Sequence, residues 1–295
     1  EMCIRDRFLY VLSSKEKSYI KKEEKFCSNT YHPLPVVLSK GKGVFVWDVD
    51  GNEYVDLVCA WGPMILGYNN PVVDEAARKQ LNLGNTVSIA SPVMIELAET
   101  LVDLVSIADW SLFGKNGADS TSLAVMVSRQ ETGKQKILKI NDGYHGSNSW
   151  MQRRNSPGII NSDSAEVISI DWNDLDGFNQ AISDHGDDIA CFISSPYHHP
   201  TFKNNVYPNE GYWKHIEKVC RKNNIILIVD DVRTGFRIDL KGVQTHGSTP
   251  WTGRDPIVTA AQIVNSLQTI VSRSLPLTEA GAVVTIGSIH GGVRS

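Results

Sequence analysis

The sequence predicts an α/β fold: an incomplete layered parallel sheet with helices packed against it, followed by a partial β-α-β segment. Three observations predict it. Short apolar runs at 136–140, 166–170, 189–194 and 225–229 are separated by helical stretches, the alternation expected of a layered α/β sheet. The run Ile225-Ile226-Leu227-Ile228-Val229 is continuous and ends in Asp230; a strand apolar on both faces is expected at the centre of a parallel sheet. After Phe236 the character changes, because Phe236, Ile238 and Leu240 alternate with charged residues and suit a strand wet on one face.

In chain order, residues 1–7 read EMCIRDR without periodicity and resemble translated sequencing-adapter sequence, so a processing scar is expected there. Residues 8–56 form an N-terminal segment. A charged helix is expected over 14–25, and the two prolines of Tyr31-His32-Pro33-Leu34-Pro35 forbid one just after. Strands are expected at 43–47 and 53–57, with Asp50-Gly51-Asn52 as the turn between them. Ser91-Pro92 starts a helix carrying Met94, Leu97, Ala98, Leu101, Leu104 and Val105 at helical spacing. A second helix follows Gly117 with Leu123, Ala124 and Val127 on one face, and Gly133 stops it. The helix over 211–221 turns Tyr212, Ile216, Val219 and Cys220 inward. In the tail, Asp255-Pro256 caps a helix bearing Ile257, Ala261, Val264, Leu267 and Val271, and a strand at 282–286 precedes Gly291-Gly292. A β-α-β unit without partner strands is half of a domain.

Composition excludes several functions. With 41% hydrophobic and 21% charged residues the chain reads as a globular protein. The formal charge of -4 comes from 29 basic and 33 acidic side chains without a basic patch, so no nucleic-acid partner is expected. No run approaches the length of a membrane span, and no secretory signal is expected. Cys3, Cys27, Cys59, Cys191 and Cys220 have no paired spacing, which predicts reduced thiols, a cytoplasmic location and no metal centre.

The chemistry-bearing residues follow from position. Asp230 ends a buried strand, where open α/β sheets place ligands. It would pair with a cation such as a protonated pyridine nitrogen, or, with Asp231, cap a turn or hold magnesium. Lys115-Asn116-Gly117-Ala118-Asp119-Ser120 opens a helix; its free N–H groups suit an anion, although an ordinary cap has the same pattern. Tyr144-His145-Gly146 lies just past a strand, and its aromatic ring suits stacking on a flat ligand or packing in a loop.

Together, Trp61-Gly62-Pro63-Met64-Ile65-Leu66-Gly67, Asn116-Gly117-Ala118-Asp119, Tyr144-His145-Gly146 and Asp230-Asp231-Val232-Arg233-Thr234-Gly235-Phe236-Arg237 resemble the class III aminotransferases. The similarity is to the glutamate-1-semialdehyde aminomutase-like branch, over about residues 57–236. The stretch 24–56, with Asn29-Thr30-Tyr31-His32-Pro33-Leu34-Pro35 and Gly41-Lys42-Gly43, is more similar to ornithine aminotransferase. The resemblance implies a fold-type I large domain, pyridoxal 5'-phosphate, a small amino-acid or amino-ketone substrate and a homodimer. It implies that Asp230 meets the pyridine nitrogen, Gly117 and Ala118 offer N–H groups to the phosphate, and Asn116 stands in the place of a family serine. Tyr144 would stack on the ring with His145 beside it. Trp61 would line the substrate pocket, unless it is a packed core indole. Asp119 and Asp231 stand where the family usually has glutamate, and Ser195-Pro196 where it usually has Glu-Pro.

The family holds its cofactor as a Schiff base to a lysine one strand beyond the aspartate motif. Here Lys241 is the only lysine after Asp230, in or beside the alternating strand, so the chain is expected to be inactive. From about residue 238, GVQTHGSTPW, DPIVTAAQIVNSLQTIVSR and GSIHGG are similar to the dimerisation domain of M20 peptidases and amidohydrolases, where the fold is ferredoxin-like. That similarity implies a lid role for His246, whose other reading is a surface histidine. A junction near Arg237, a noncatalytic dimerisation or structural fragment, and an M20-like amidohydrolase fragment are the further expectations. His198-His199 is adjacent rather than helically spaced, which argues against a metal site.

Overall fold

The computed structural model describes residues 13–27, 36–84, 87–154, 156–200, 204–233 and 235. The chain divides into two compact units, Glu1–Arg233 and Thr234–Ser295. Residues 1–7, 31–35 and 236–295, including Lys241 and His246, lie outside the described residues.

Helix α1 (Ser14–Phe26) starts where the Ser13 hydroxyl accepts the Glu16 N–H at 3.0 Å, relieving one of the donors a first helical turn leaves unpaired. Three antiparallel strands follow: β1 (Leu38–Lys42), β2 (Phe45–Asp48) and β3 (Glu53–Val55), in that spatial order. Strand β2 falls within one or two residues of the expected 43–47, and β3 is shorter than the expected 53–57. β1 was not expected. Its sequence LSKGK has no apolar alternation, and four of its five residues are exposed.

The buried Asp48 carboxylate organises the β2–β3 turn. One oxygen accepts the N–H groups of Asp50 and Asn52 at 2.9 Å each, and the other accepts Asn52 Nδ2 and the Tyr54 hydroxyl at 2.8 Å each. Burial disfavours its charge, but these donors outweigh burial and hold the carboxyl below its ordinary range.

Helix α2 (Pro71–Leu83) is capped by Asn70, whose side chain accepts from Val72 and Val73, and has proline in its first turn. Helix α3 (Pro92–Leu104) begins after Ser91 as its Ser-Pro pair predicts, although the Ser91 side chain makes no cap bond. Neither helix buries a residue among those described, so the apolar stripe expected to face a core in α3 is largely open.

The second half is the layered sheet. Helix α4 (Gly117–Thr132) precedes β4 (Lys136–Ile140), β5 (Val167–Ile170), helix α5 (Leu175–His185), β6 (Ile189–Ser194), helix α6 (Tyr212–Lys222) and β7 (Ile226–Val229). All strand pairs are parallel, in the order β5-β4-β6-β7. One core layer joins Leu138, Ile140, Phe192 and Ile170 of the strands to Phe178 of α5 and Tyr212, Ile216 and Cys220 of α6. The opposite face packs Ile137, Cys191 and Ile193 under Val125 of α4. Each fully buried Leu, Ile or Phe contributes about 1.5–3 kcal/mol, so this double-faced packing dominates the stability of the described unit. The inward residues expected in the 211–221 helix are found, with Val219 only partly buried.

Leu123, Ala124 and Val127 share one face of α4, where they line an open apolar groove with Trp110, Leu112, Ile226 and Ile228; the most buried residues of the helix are Thr121, Val125 and Ser128. One expectation is corrected. Among the described residues β7 lies at the sheet's edge rather than its centre, which leaves Ile226, Leu227 and Ile228 half-buried and Val229 exposed.

Candidate cofactor site

Parallel strands leave their carboxyl ends and the helix starts on one rim of the sheet. Three segments meet there. The first is the start of α4. Asn116 Oδ1 accepts the Asp119 N–H at 3.0 Å, and its Nδ2 donates to the Asp119 carboxylate at 3.1 Å. Asn116 is thus the N-cap. The N–H groups of Gly117 and Ala118 occupy the first turn, where the helix itself supplies no acceptor and an anion is favoured.

The second segment is the loop after β4. Thr121 Oγ1 of α4 donates to the His145 carbonyl at 2.9 Å. Gly146 has φ +132°, and a Cβ there would lie 2.6 Å from both Ala118 Cβ and Met151 Sδ. Glycine is therefore required for Tyr144-His145-Gly146 to close against the first turn of α4. The Tyr144 ring is 56% exposed and so free to cover a ligand, rather than packed away in the loop.

The third is Asp230, immediately after β7. Its N–H donates to the Ser194 carbonyl at 2.9 Å. Its Oδ2 faces His145 Nδ1 at 2.8 Å, with the two side chains 10% and 1% exposed. Oδ1 receives only a long 3.4 Å contact from the Val232 N–H, so acceptor capacity is left for a cationic donor. The carboxylate cannot donate, so His145 carries its proton on Nδ1.

The site thus brings together Asn116, Gly117, Ala118, Tyr144, His145 and Asp230. The backbone of Trp61 closes a 3₁₀ turn, Cys59–Trp61, after positive φ at Cys59 and Ala60. Asp231 is exposed beside Asp230, and no group of three or more His, Cys, Asp or Glu able to hold a metal ion occurs among the described residues.

Sequence reasoning missed two groups nearby, one buried and one half-buried. Lys139 of β4 is 3% exposed and donates to the Met151 carbonyl at 2.8 Å; burial pushes its ammonium below the ordinary lysine range. Its signal was a lysine inside an otherwise apolar strand. His199 contacts Ser195 Oγ at 3.2 Å; burial, then the Arg233 guanidinium, lower its pKa. Its signal is the adjacent His198-His199 pair just past a strand end.

The class III aminotransferase family model matches residues 26–239. The chain belongs to the class III aminotransferases. Residues 233–295 match the peptidase dimerisation domain of the M20 type. Among relatives, the chain is 35% identical to an aminopentol aminotransferase of Sphingopyxis macrogoltabida, covering 72% of this chain and 50% of that protein. It is 34% identical to a glutamate-1-semialdehyde 2,1-aminomutase of Methanocaldococcus jannaschii, over 73% of this chain and 53% of the relative. Among solved structures, the PLP form of the FumI protein of Sphingopyxis sp. MTA144 superposes with a TM-score of 0.70 at 31% identity, covering 76% of this chain and 56% of that one. An acetylornithine aminotransferase of Elizabethkingia anophelis gives 0.63 at 29% identity, with 76% and 57% covered. The chain spans about half the length of the curated relatives it matches, so the class III aminotransferase fold is present but incomplete.

The residues fit pyridoxal 5'-phosphate on geometry alone. Space beside Gly117 is open, since a Cβ there meets nothing within 4 Å. A first-turn anion site, an exposed aromatic ring and a buried carboxylate converge on one rim.

Proposed function

We propose that this chain is a pyridoxal-phosphate-binding class III aminotransferase-like protein that holds its cofactor without covalent attachment and does not turn over. The observation that carries the binding half is the convergence of the α4 start, Tyr144-His145-Gly146 and the His145–Asp230 pair. Gly117 and Ala118 receive the phosphate on their N–H groups, with Asn116 fixing the turn that presents them. Tyr144 covers one ring face. Asp230 accepts the pyridinium N–H, and His145 orients its carboxylate by donating from Nδ1. Trp61 borders the substrate, a small amino acid or amino-ketone. When bound, the cofactor supplies an electron sink for a carbanion next to nitrogen.

The second half rests on sequence. Lys241 is the only lysine after Asp230, and the peptidase dimerisation match begins at residue 233. Anchoring the cofactor and moving the substrate proton both need a primary amine at the ring. Lys139 is committed to the Met151 carbonyl. We infer that residues 237–295, His246 among them, serve a homodimer contact. A composite origin near Arg237 is part of the same reading, tested by sequencing the genomic DNA across 236–241.

The functional test is titration with pyridoxal phosphate followed by borohydride reduction and mass measurement. Saturable binding is expected, weakened about tenfold or more by Asp230→Asn, the loss expected for one charge-assisted hydrogen bond. No cofactor mass should be trapped on the protein. A lysine-linked adduct, or keto-acid formation at transaminase rates, overturns the inactive reading. Absent binding overturns the whole.

A further inference from the structure

Behind the His145–Asp230 pair lies a cleft that the cofactor reading leaves unused. It sits at the carboxyl ends of β4 and β6 and is lined by His145, Ser195, His199, Ile140, Gly143 and Trp172, among others, with room for about one water-sized molecule. His145 is 3% exposed. Its Nδ1 is taken by Asp230, while its Nε2 is buried without a partner. That nitrogen lies against one wall of the cleft: a Cβ on Gly143, itself a wall residue, would lie 3.1 Å from it. His199 shows the same division. Its Nε2 meets Ser195 Oγ at 3.2 Å, and its Nδ1 is buried and unpartnered. The two residues that carry these nitrogens thus line one small cleft whose other walls include Ile140 and Trp172.

Buried polar atoms are seldom left unpaired, and ordered water is the usual partner when no protein group reaches them. We propose that one water molecule bound in this cleft bridges His145 Nε2 and His199 Nδ1, making His199 and Ser195 positioning residues that fix the tautomer of His145 and the aim of its bond to Asp230. The donor and acceptor pattern closes. His145 donates from Nδ1 to a carboxylate, so in the neutral ring Nε2 is an acceptor. His199 either donates to Ser195 Oγ or accepts from it, leaving Nδ1 an acceptor or a donor. Water serves both cases, since it donates twice and also accepts. Burial favours the neutral His199 ring, so no anion is required. The bridge stands on the protein's own atoms; its use to the cofactor rests on the reading of Asp230 given above.

The test is histidine nitrogen NMR on the full chain without cofactor, together with a crystal structure that resolves ordered water. The expected result is one water within hydrogen-bond distance of both nitrogens, and a His145 Nε2 resonance displaced as for a hydrogen-bonded acceptor. His199→Phe fills the cleft and should move that resonance to the unbonded position, and His199→Gln should restore most of the displacement. Ser195→Ala, which adds no volume, should give a smaller shift of the same sign and serves if the phenylalanine variant does not fold. Pyridoxal-phosphate affinity should fall several-fold in His199→Phe and recover in His199→Gln. A dry cleft, or a His145 resonance indifferent to all three substitutions, overturns the proposal. Unchanged cofactor affinity in Asp230→Asn defeats the functional reading instead and leaves the nitrogen shifts standing.

Discussion

Gly146 is the residue on which the site's assembly depends. Its φ of +132° and the 2.6 Å approach of an added Cβ to Ala118 and Met151 combine backbone strain with overpacking. Gly146→Ala is expected to destabilise the unit by about 1–3 kcal/mol and to abolish saturable cofactor binding, read by thermal melting and absorbance titration. Asp48 gives a prediction in pH. The donors around it hold its folded pKa below the ordinary carboxylate range. A depressed carboxylate stabilises the fold above its unfolded pKa, and that stability is lost as pH falls through the folded pKa. Denaturant melts from neutrality down into that range should therefore lose stability below about pH 4, and less of it in Asp48→Asn. Of the site residues, Asp230, His145 and the α4 turn were legible from position and resemblance. The 2.8 Å His145–Asp230 bond was not, because the partners are 85 residues apart in sequence. His199 stayed hidden for a related reason, since its role depends on a cleft that only the packed strands create.

At the level of elements, the cap of α4 does two jobs. Asn116 holds the Asp119 N–H and thereby leaves the Gly117 and Ala118 N–H groups for an anion. Asn116→Ala should cost about 1 kcal/mol of stability and weaken binding of pyridoxal phosphate more than of pyridoxal, because only the phosphate uses that turn. Calorimetry with both ligands separates the two effects. The sheet was readable because each strand is a short apolar run, and α4 and α6 because their stops and faces are marked. Helix α5 was not, since LDGFNQAISDH has Gly177 in its first turn and is rich in polar residues; it is held by the Asp174 cap and by Phe178 and Ala181 against the sheet. Helix α2 was missed although Asn70-Pro71 marks its start as Ser91-Pro92 marks that of α3. The inner face of α4 is not the apolar one, for a physical reason as well. Thr121 and Ser128 turn inward because their hydroxyls bond backbone carbonyls, while the apolar Val127 faces an open groove.

For the molecule as a whole, the unsolved burden is apolar surface. Val72, Leu83, Ile89 and Ile107 are each more than three-quarters exposed, and Trp110 is 64% exposed. All lie on or next to α2 and α3, which bury nothing among the described residues. Scattered exposed apolar residues are ordinary, but a concentration on two successive helices marks a surface meant to be covered. Two features favour a second copy as the cover: the chain carries a match to a dimerisation domain at 233–295, and homodimers bury more apolar surface than transient partners do. Light scattering on the purified chain should therefore give twice the mass of 32.6 kDa. Leu83→Glu combined with Ile107→Glu should shift the protein toward monomer without loss of helix content, since neither side chain is buried in the described unit. A monomeric wild type would remove the second copy as the cover, a double variant that stays dimeric would place the dimer contact elsewhere, and either would leave the exposure of α2 and α3 without this explanation.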